Sequence, residues 1–158
     1  MTLVDYDYQL VVDNAHEYAR FQVDASHFKH DVHIALSMFE EQIMFDNEKF
    51  EIVIGGYYGE MSIIRTRTGW NDYTNFVEKS HTEAYFDNFK SDIEVVVIDG
   101  QLIVKTKGET FMEYKDASFE KNKYNYLFAS GFIGGFGTIQ ITGFPDNHVS
   151  QSTRQTSI

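Results

Sequence analysis

Apolar and polar positions alternate with a period of two along most of the chain, and turn-forming residues separate the alternating segments. Such a pattern predicts short half-buried strands in an all-β sandwich or barrel, not strand–helix–strand units. Strands are expected at Ala19–Ala25, Val32–Met38, Phe50–Ile54, Met61–Thr66, Ile93–Ile98, Gln101–Lys107, Thr110–Tyr114, Tyr124–Ser130 and Gly137–Thr142. The sharpest local signal is "IEVVVIDGQLIVKTK", two β-branched runs joined by Asp99-Gly100. A two-residue Asp-Gly loop predicts a hairpin with a type I′ turn, which requires positive φ at both central residues. Ile93, Val95 and Val97 lie on one face of the first run and Val96 and Ile98 on the other, so this strand is expected at the centre of its sheet. The segment "GWNDYTNFVEKSHTEAYFDNFK" follows neither period and is read as a long loop with one helical turn at Glu83–Phe86. One domain, residues 1–144, is expected, followed by a flexible tail over 145–158 that has little to bury.

Composition narrows the class. The 158 residues are 42% hydrophobic, enough for one core without staples, and contain no cysteine, which excludes disulfides, thiolate metal sites and a cysteine nucleophile. Aromatic residues make up 16% while proline occurs once, at Pro145, a bias that favours pleated surfaces. The net charge of −11, with lysine and arginine scattered, disfavours nucleic acid and anionic membranes as partners. There is no basic N-terminal region, no run long enough for a signal peptide or membrane span, and no glycosylation sequon. These features imply a soluble cytoplasmic chain without membrane insertion; a fragment of a larger extracellular protein would share them.

The stretch "HFKHDVHIALS" spaces histidines by three. Residues three apart on a strand point to opposite faces, so His27, His30 and His33 do not converge on a metal, and no metal site is expected. Val32, Ile34 and Leu36 already account for a half-buried strand. His33 alone is retained as a candidate, because Asp31 on the same face can orient its imidazole.

The ordered strings "DVHIALS", "FEIVIGGYYGEMSIIRTR", "VIDGQLIVKTKGETFMEY" and "YLFASGFIGGFGTIQIT" resemble the farnesoic acid O-methyltransferase-like domain from about Phe21 to Thr142. Where family members usually carry a tryptophan this chain has Tyr57, and "GEM" replaces an Asn-Thr-Lys-like turn. The resemblance implies an antiparallel β-sandwich of jelly-roll or lectin-like shape. The family name implies S-adenosylmethionine-dependent methyl transfer to farnesoic acid.

The residues themselves favour a different reading. A Rossmann-type methyl donor site needs its glycines between a parallel strand and a helix, whereas "IVIGGYYGEMSIIRTRT" places them between two β segments. "SGFIGGFG" lacks the continuation of a phosphate loop and reads as a bulged strand or sheet corner. No catalytic residues are assigned. Arg65 shares a strand face with Ile63 and Met61, so it either reaches water or pairs with an acid that fixes its planar fork. Tyr57 and Tyr58 precede that strand and Trp70 follows it; aromatic faces beside polar groups suit sugar rings. The expectation is a non-enzymatic binding module for carbohydrate or a protein surface, using Tyr57, Tyr58, Arg65, Trp70 and His33 and no cofactor. Methyl transfer is the alternative, and calcium held by acids such as those of "DYDY", Asp5 to Tyr8, is a third reading. Sheet edges make homo-oligomers a further expectation.

Overall fold

The computed structural model describes residues 2–3, 8–41, 47–69 and 71–146. It is an antiparallel β-sandwich with short helical links, one of the two architectures the period-two pattern predicts and the one the family resemblance implies. The strands are β1 (Thr2–Leu3), β2 (Gln9–Val12), β3 (Tyr18–Ser37), β4 (Lys49–Gly55), β5 (Met61–Arg67), β6 (Tyr73–Ser80), β7 (Ile93–Ile98), β8 (Gln101–Thr106), β9 (Glu109–Lys115) and β10 (Tyr126–Pro145). A single turn, α1 (Gly56–Gly59), links β4 to β5, and α2 (Glu83–Phe89) links β6 to β7.

The hydrogen-bonded order is β6-β5-β4-β3-β7-β8-β9, with β10 along the other side of β3 and β1 and β2 on β10. β3 and β10 each run for 20 residues and belong to both layers. The same edge of β3 pairs with β7 through Arg20–Val23 and with β4 through Val32–Ser37. Between these stretches Ala25 donates its N–H to the Lys90 carbonyl just past α2. The bend is built into β10. Between Phe132 and Phe136 it advances four residues while its partner moves two, from Asp31 to Lys29. Such bulges bend and twist a strand, which is the structural role of the glycine-rich "SGFIGGFG". Folding along this line brings β6 back against β9.

The core lies between the layers. Val32, Ile34 and Leu36 of β3, Ile52 and Ile54 of β4 and Ile64 of β5 meet Ile93, Val95, Val97, Leu102 and Val104 of the other layer. Two aromatic groups close the sides. Phe86 and Phe89 of α2 pack with His81, Tyr85 and Phe111, and Phe50 meets Phe119 and Tyr124 edge to face. Among the described residues no helix is long and apolar enough to cross a membrane.

Several sequence expectations are corrected. The two strands expected within 19–38 are one continuous β3, and those expected at 124–130 and 137–142 are one β10, because a bulged strand can turn a corner without ending. The region read as a long loop holds the edge strand β6 and two turns of α2. β6 is mostly exposed and polar, so it carries little periodic signal. The α2 start is marked by the Thr82 hydroxyl, which accepts from the Tyr85 N–H at 3.0 Å. The Asp99-Gly100 hairpin forms with Ile98 opposite Gln101, but among the two turn residues only Gly100 has positive φ, so the turn is not type I′. Tertiary bonds hold it instead: Gly100 N–H to the Phe119 carbonyl at 2.8 Å and Lys121 N–H to Asp99 Oδ1 at 2.9 Å. Both central residues are positive in the next hairpin, at Lys107 (φ 50) and Gly108 (φ 81). β7 is central, as expected, with Ile93, Val95 and Val97 buried, yet Ile98 is exposed. β10 itself ends at Pro145, and Lys121 Nζ pairs with Asp146 at 2.7 Å; residues 147–158 of the expected tail lie outside the described residues.

Candidate functional site

β3, β4 and β5 turn their alternate residues away from the core, and this outward face carries an unusual density of charge. Asp31 and His33 come from β3, Lys49 and Glu51 from β4, and Arg65 and Arg67 from β5; all six are buried. Cross-strand register explains the grouping, since Glu51 lies opposite both Ala35 and Arg65, and Lys49 opposite Arg67. Side chains directly opposite on neighbouring strands are close enough to pair.

Glu51 is the hub. Its Oε1 accepts from Arg65 Nε at 2.6 Å and Nη2 at 2.5 Å, with Arg67 Nη1 at 3.3 Å. Its Oε2 accepts from the Tyr8 hydroxyl and lies 3.2 Å from His33 Nδ1. Arg67 Nε donates to the Gly69 carbonyl at 3.1 Å, and the Arg65 guanidinium rests over the Tyr73 ring at 4.9 Å. Arg65 therefore takes the second of its two expected options: an acid holds its fork. Lys49 Nζ donates to the Asn47 carbonyl at 2.6 Å.

His33 Nε2 stands 2.8 Å from Asp31 Oδ2, the carboxylate-oriented imidazole anticipated from the sequence. Burial pushes the His33 pKa below its ordinary value; Asp31 opposes this, while Arg65 and Arg67 reinforce it. Because the folded pKa is below the unfolded one, the unfolded chain binds the extra proton as pH falls. Stability is thus complete above the unfolded imidazole value of about 6.5 and declines as pH drops below it. Urea midpoints measured between about pH 7.5 and 5.5 should fall for the native chain and fall less for His33→Gln. Equal slopes for both proteins would refute this assignment.

The β4–β5 connection forms the open end of the face. Gly55 (φ 74) and Gly59 (φ 88) bracket it, and Tyr57 (φ 50, ψ 54) and Tyr58 (φ 60, ψ 36) are also left-handed. A left-handed conformation costs a non-glycine residue about 1–2 kcal/mol. It directs both rings outward, leaving Tyr57 69% and Tyr58 68% exposed. Below the turn, Gly55 N–H donates to the Ser62 hydroxyl at 3.1 Å and that hydroxyl meets His81 Nε2 at 2.8 Å, anchoring the hairpin to α2's aromatic group.

Asp31, His33, Val53, Gly56, Tyr57, Tyr58, Ile63 and Arg65 line one cavity of about 180 Å³. Four of the five residues singled out from the sequence are therefore neighbours; Trp70 lies outside the described residues. Asp5, Tyr6 and Asp7 of "DYDY" lie outside them too, and no cluster of metal-ligating side chains occurs among the described residues. Sequence reading passed over Glu51 and Arg67. Counting back across the β4–β5 turn would have paired Glu51 with Arg65, because an acid in the apolar run "FEIVIGG" faces "IIRTR" in an antiparallel hairpin.

The overall architecture is that of the galectin-like β-sandwiches. Sheep galectin-11 in complex with glycerol matches with a TM-score of 0.50 and 11% identity, covering 89% of this chain and 99% of that one. A human galectin-16 variant matches at 0.53 and 9% over 91% and 100%, and the Caenorhabditis elegans galectin LEC-6 at 0.52 and 10% over 89% and 94%. Identities this low establish likeness of fold. Residues 4–136 match the family model described as farnesoic acid O-methyl transferase, and the chain belongs to that family. No curated protein matches it.

Proposed function

We propose that this protein is a non-enzymatic carbohydrate-binding module whose site is the cavity beneath Tyr57 and Tyr58. The observation that carries the reading is the pair of left-handed, solvent-facing tyrosines above a buried acid and a buried, acid-held arginine. Exposed rings at a strained turn gain nothing for the core, yet offer faces for the apolar side of a sugar. Arg65 donates hydrogen bonds and Asp31 accepts them, the two functions a hydroxyl-rich ligand requires. The galectin-like shape supports this class of ligand.

The test separates binding from folding. Replacing Tyr57 and Tyr58 together by glycine relieves the left-handed strain and should leave stability unchanged or raise it by about 1 kcal/mol. The same variant should lose glycan-array signal. Retained binding would sink the site assignment, and lost stability would show that the rings pack structurally.

The family description favours methyl transfer from S-adenosylmethionine to farnesoic acid as a second reading. Gly55 and Gly56 join two antiparallel strands here, an arrangement unlike the strand-to-helix turn that cradles a nucleotide. Formation of methyl farnesoate by purified protein would favour that reading over ours. A cytoplasmic location is consistent with a chain free of cysteine and sequons.

A further inference from the structure

We infer that the sugar site continues across β5 onto the edge strand β6, where Tyr73, Asn75 and Glu78 form a second subsite, so that the ligand is an oligosaccharide of at least two units. This rests on the carbohydrate reading and extends its site.

Strand register supplies the first argument. Tyr73, Asn75 and Glu78 lie opposite Arg67, Arg65 and Ile63 of β5, and residues directly opposite on antiparallel strands share a face. Ile63 and Arg65 line the cavity, so these three residues stand on the same face one strand further out. Asn75 and Glu78 are three positions apart, and alternation alone would set them on opposite faces. A bulge brings them together: β5 advances one residue, from Ile64 to Arg65, while β6 moves two, from Val77 to Asn75, and Phe76 is the extra residue. The Phe76 ring stacks on Tyr114 of β9 at 4.4 Å. Neighbouring strands lie about 4.8 Å apart, and two residues along a strand span about 7 Å. Tyr73 and Asn75 are therefore within reach of a second ring linked to one held beside Arg65.

The chemistry of these side chains supplies the second. Glu51 takes Nε and Nη2 of Arg65, and among the described residues Nη1 has no hydrogen-bond partner, so its N–H groups can serve both rings. Tyr73 packs against the Arg65 guanidinium, 4.9 Å from the ring centroid, and is still 46% exposed, leaving aromatic surface for the apolar side of a sugar. Glu78 Oε1 accepts from Asn75 Nδ2 at 2.7 Å, which fixes the amide and leaves its oxygen as the open acceptor. Asn75 Oδ1 is shielded from water and has no hydrogen-bond partner among the described residues. Few such acceptors stay unmatched in native proteins. The residue itself is only half-buried, on the strand that ends the sheet, and a hydroxyl of the second unit would satisfy it.

The experiment is calorimetric titration of the full chain with two probe sets: methyl glycosides of glucose, galactose, mannose and N-acetylglucosamine, and the 1,3- and 1,4-linked disaccharides of the same sugars. We expect at least one disaccharide to bind about tenfold or more tightly than the methyl glycoside of either half, the gain of one stacked ring and one hydrogen bond. Asn75→Ala and Tyr73→Ala should each close most of that gap and leave monosaccharide affinity in place, whereas Tyr57→Ala should weaken both ligands. Both β6 variants lie on an exposed edge, and a native-like melting temperature checks that they fold. Equal affinity for monosaccharide and disaccharide overturns the inference while sustaining carbohydrate recognition. A gap that survives both β6 variants, or a loss shared equally by the two ligands, overturns it as well, the latter giving β6 only a role in holding Arg65. Failure of every sugar removes both readings.

Discussion

Glu51→Ala should lower unfolding stability by about 3–5 kcal/mol, because it strips the shared anion from two buried guanidiniums. Arg65 and Arg67 both reach Glu51 Oε1, and the Tyr8 hydroxyl and His33 Nδ1 crowd Oε2. With the carboxylate gone, two cations stay buried, and the Gly69 carbonyl bound by Arg67 and the Tyr73 ring beside Arg65 do not replace the lost negative charge. For a domain of this size the melting temperature should fall by about 10 °C. Glu51→Gln keeps one acceptor oxygen and should lose less. A triple variant, Glu51→Met with Arg65→Met and Arg67→Leu, should recover most of the loss, since removing these three paired charges together removes their desolvation penalty. If the triple variant is as unstable as Glu51→Ala, packing and not charge governs the site. The alanine variant should also bind sugar poorly, because the Arg65 fork loses the acid that aims it.

Gly55→Ala should cost about 3 kcal/mol by a different route. A Cβ at Gly55 would sit 2.6 Å from Phe86 Cε2 and Cζ, and the backbone there has φ +74. Phe86 is buried against Phe89 and His81, so its ring has no room to retreat. The residue ties the β4–β5 turn to α2, and displacing the ring should loosen the tyrosine platform as well as the core. Denaturant unfolding measures the first effect. Combining Gly55→Ala with Phe86→Leu separates the second, since the double variant should recover the steric part and keep the backbone part. Full additivity of the two single losses would show that the clash is absent.

Both predictions concern positions whose importance sequence reading grasped unevenly. Gly55 was legible as a glycine at a tight turn between two β segments. Glu51 was not, because an acid within "FEIVIGG" is indistinguishable from a solvated residue until its neighbours are known. Arg65 was read as either reaching water or pairing with an acid, and many acids were available among 24. His33 and Asp31 were paired from sequence because two residues on one strand face are local neighbours, and strand parity needs no tertiary information.

The limits of strand prediction have the same origin. Interior strands such as β7 and β8 alternate clearly, with buried and half-buried positions in register. The edge strand β6 is stabilised by a ladder on one side and buries little, so its residues carry no period. β3 and β10 were divided in two because a bulge interrupts alternation without interrupting pairing.

The family resemblance narrowed the fold to an antiparallel sandwich; period-two alternation, the aromatic bias and the turn signals were by themselves enough for an all-β sandwich or barrel. Those properties depend on residues within one or two positions of each other. Tertiary structure alone decided that Asp99-Gly100 adopts a turn other than type I′, since Phe119 and Lys121 bond to it from across the chain. It alone chose Glu51 as the partner of Arg65 and Arg67, and held Tyr57 and Tyr58 left-handed above them. Such features are set by the contacts of distant segments, whose energy outweighs local backbone preference at the few positions where the two conflict.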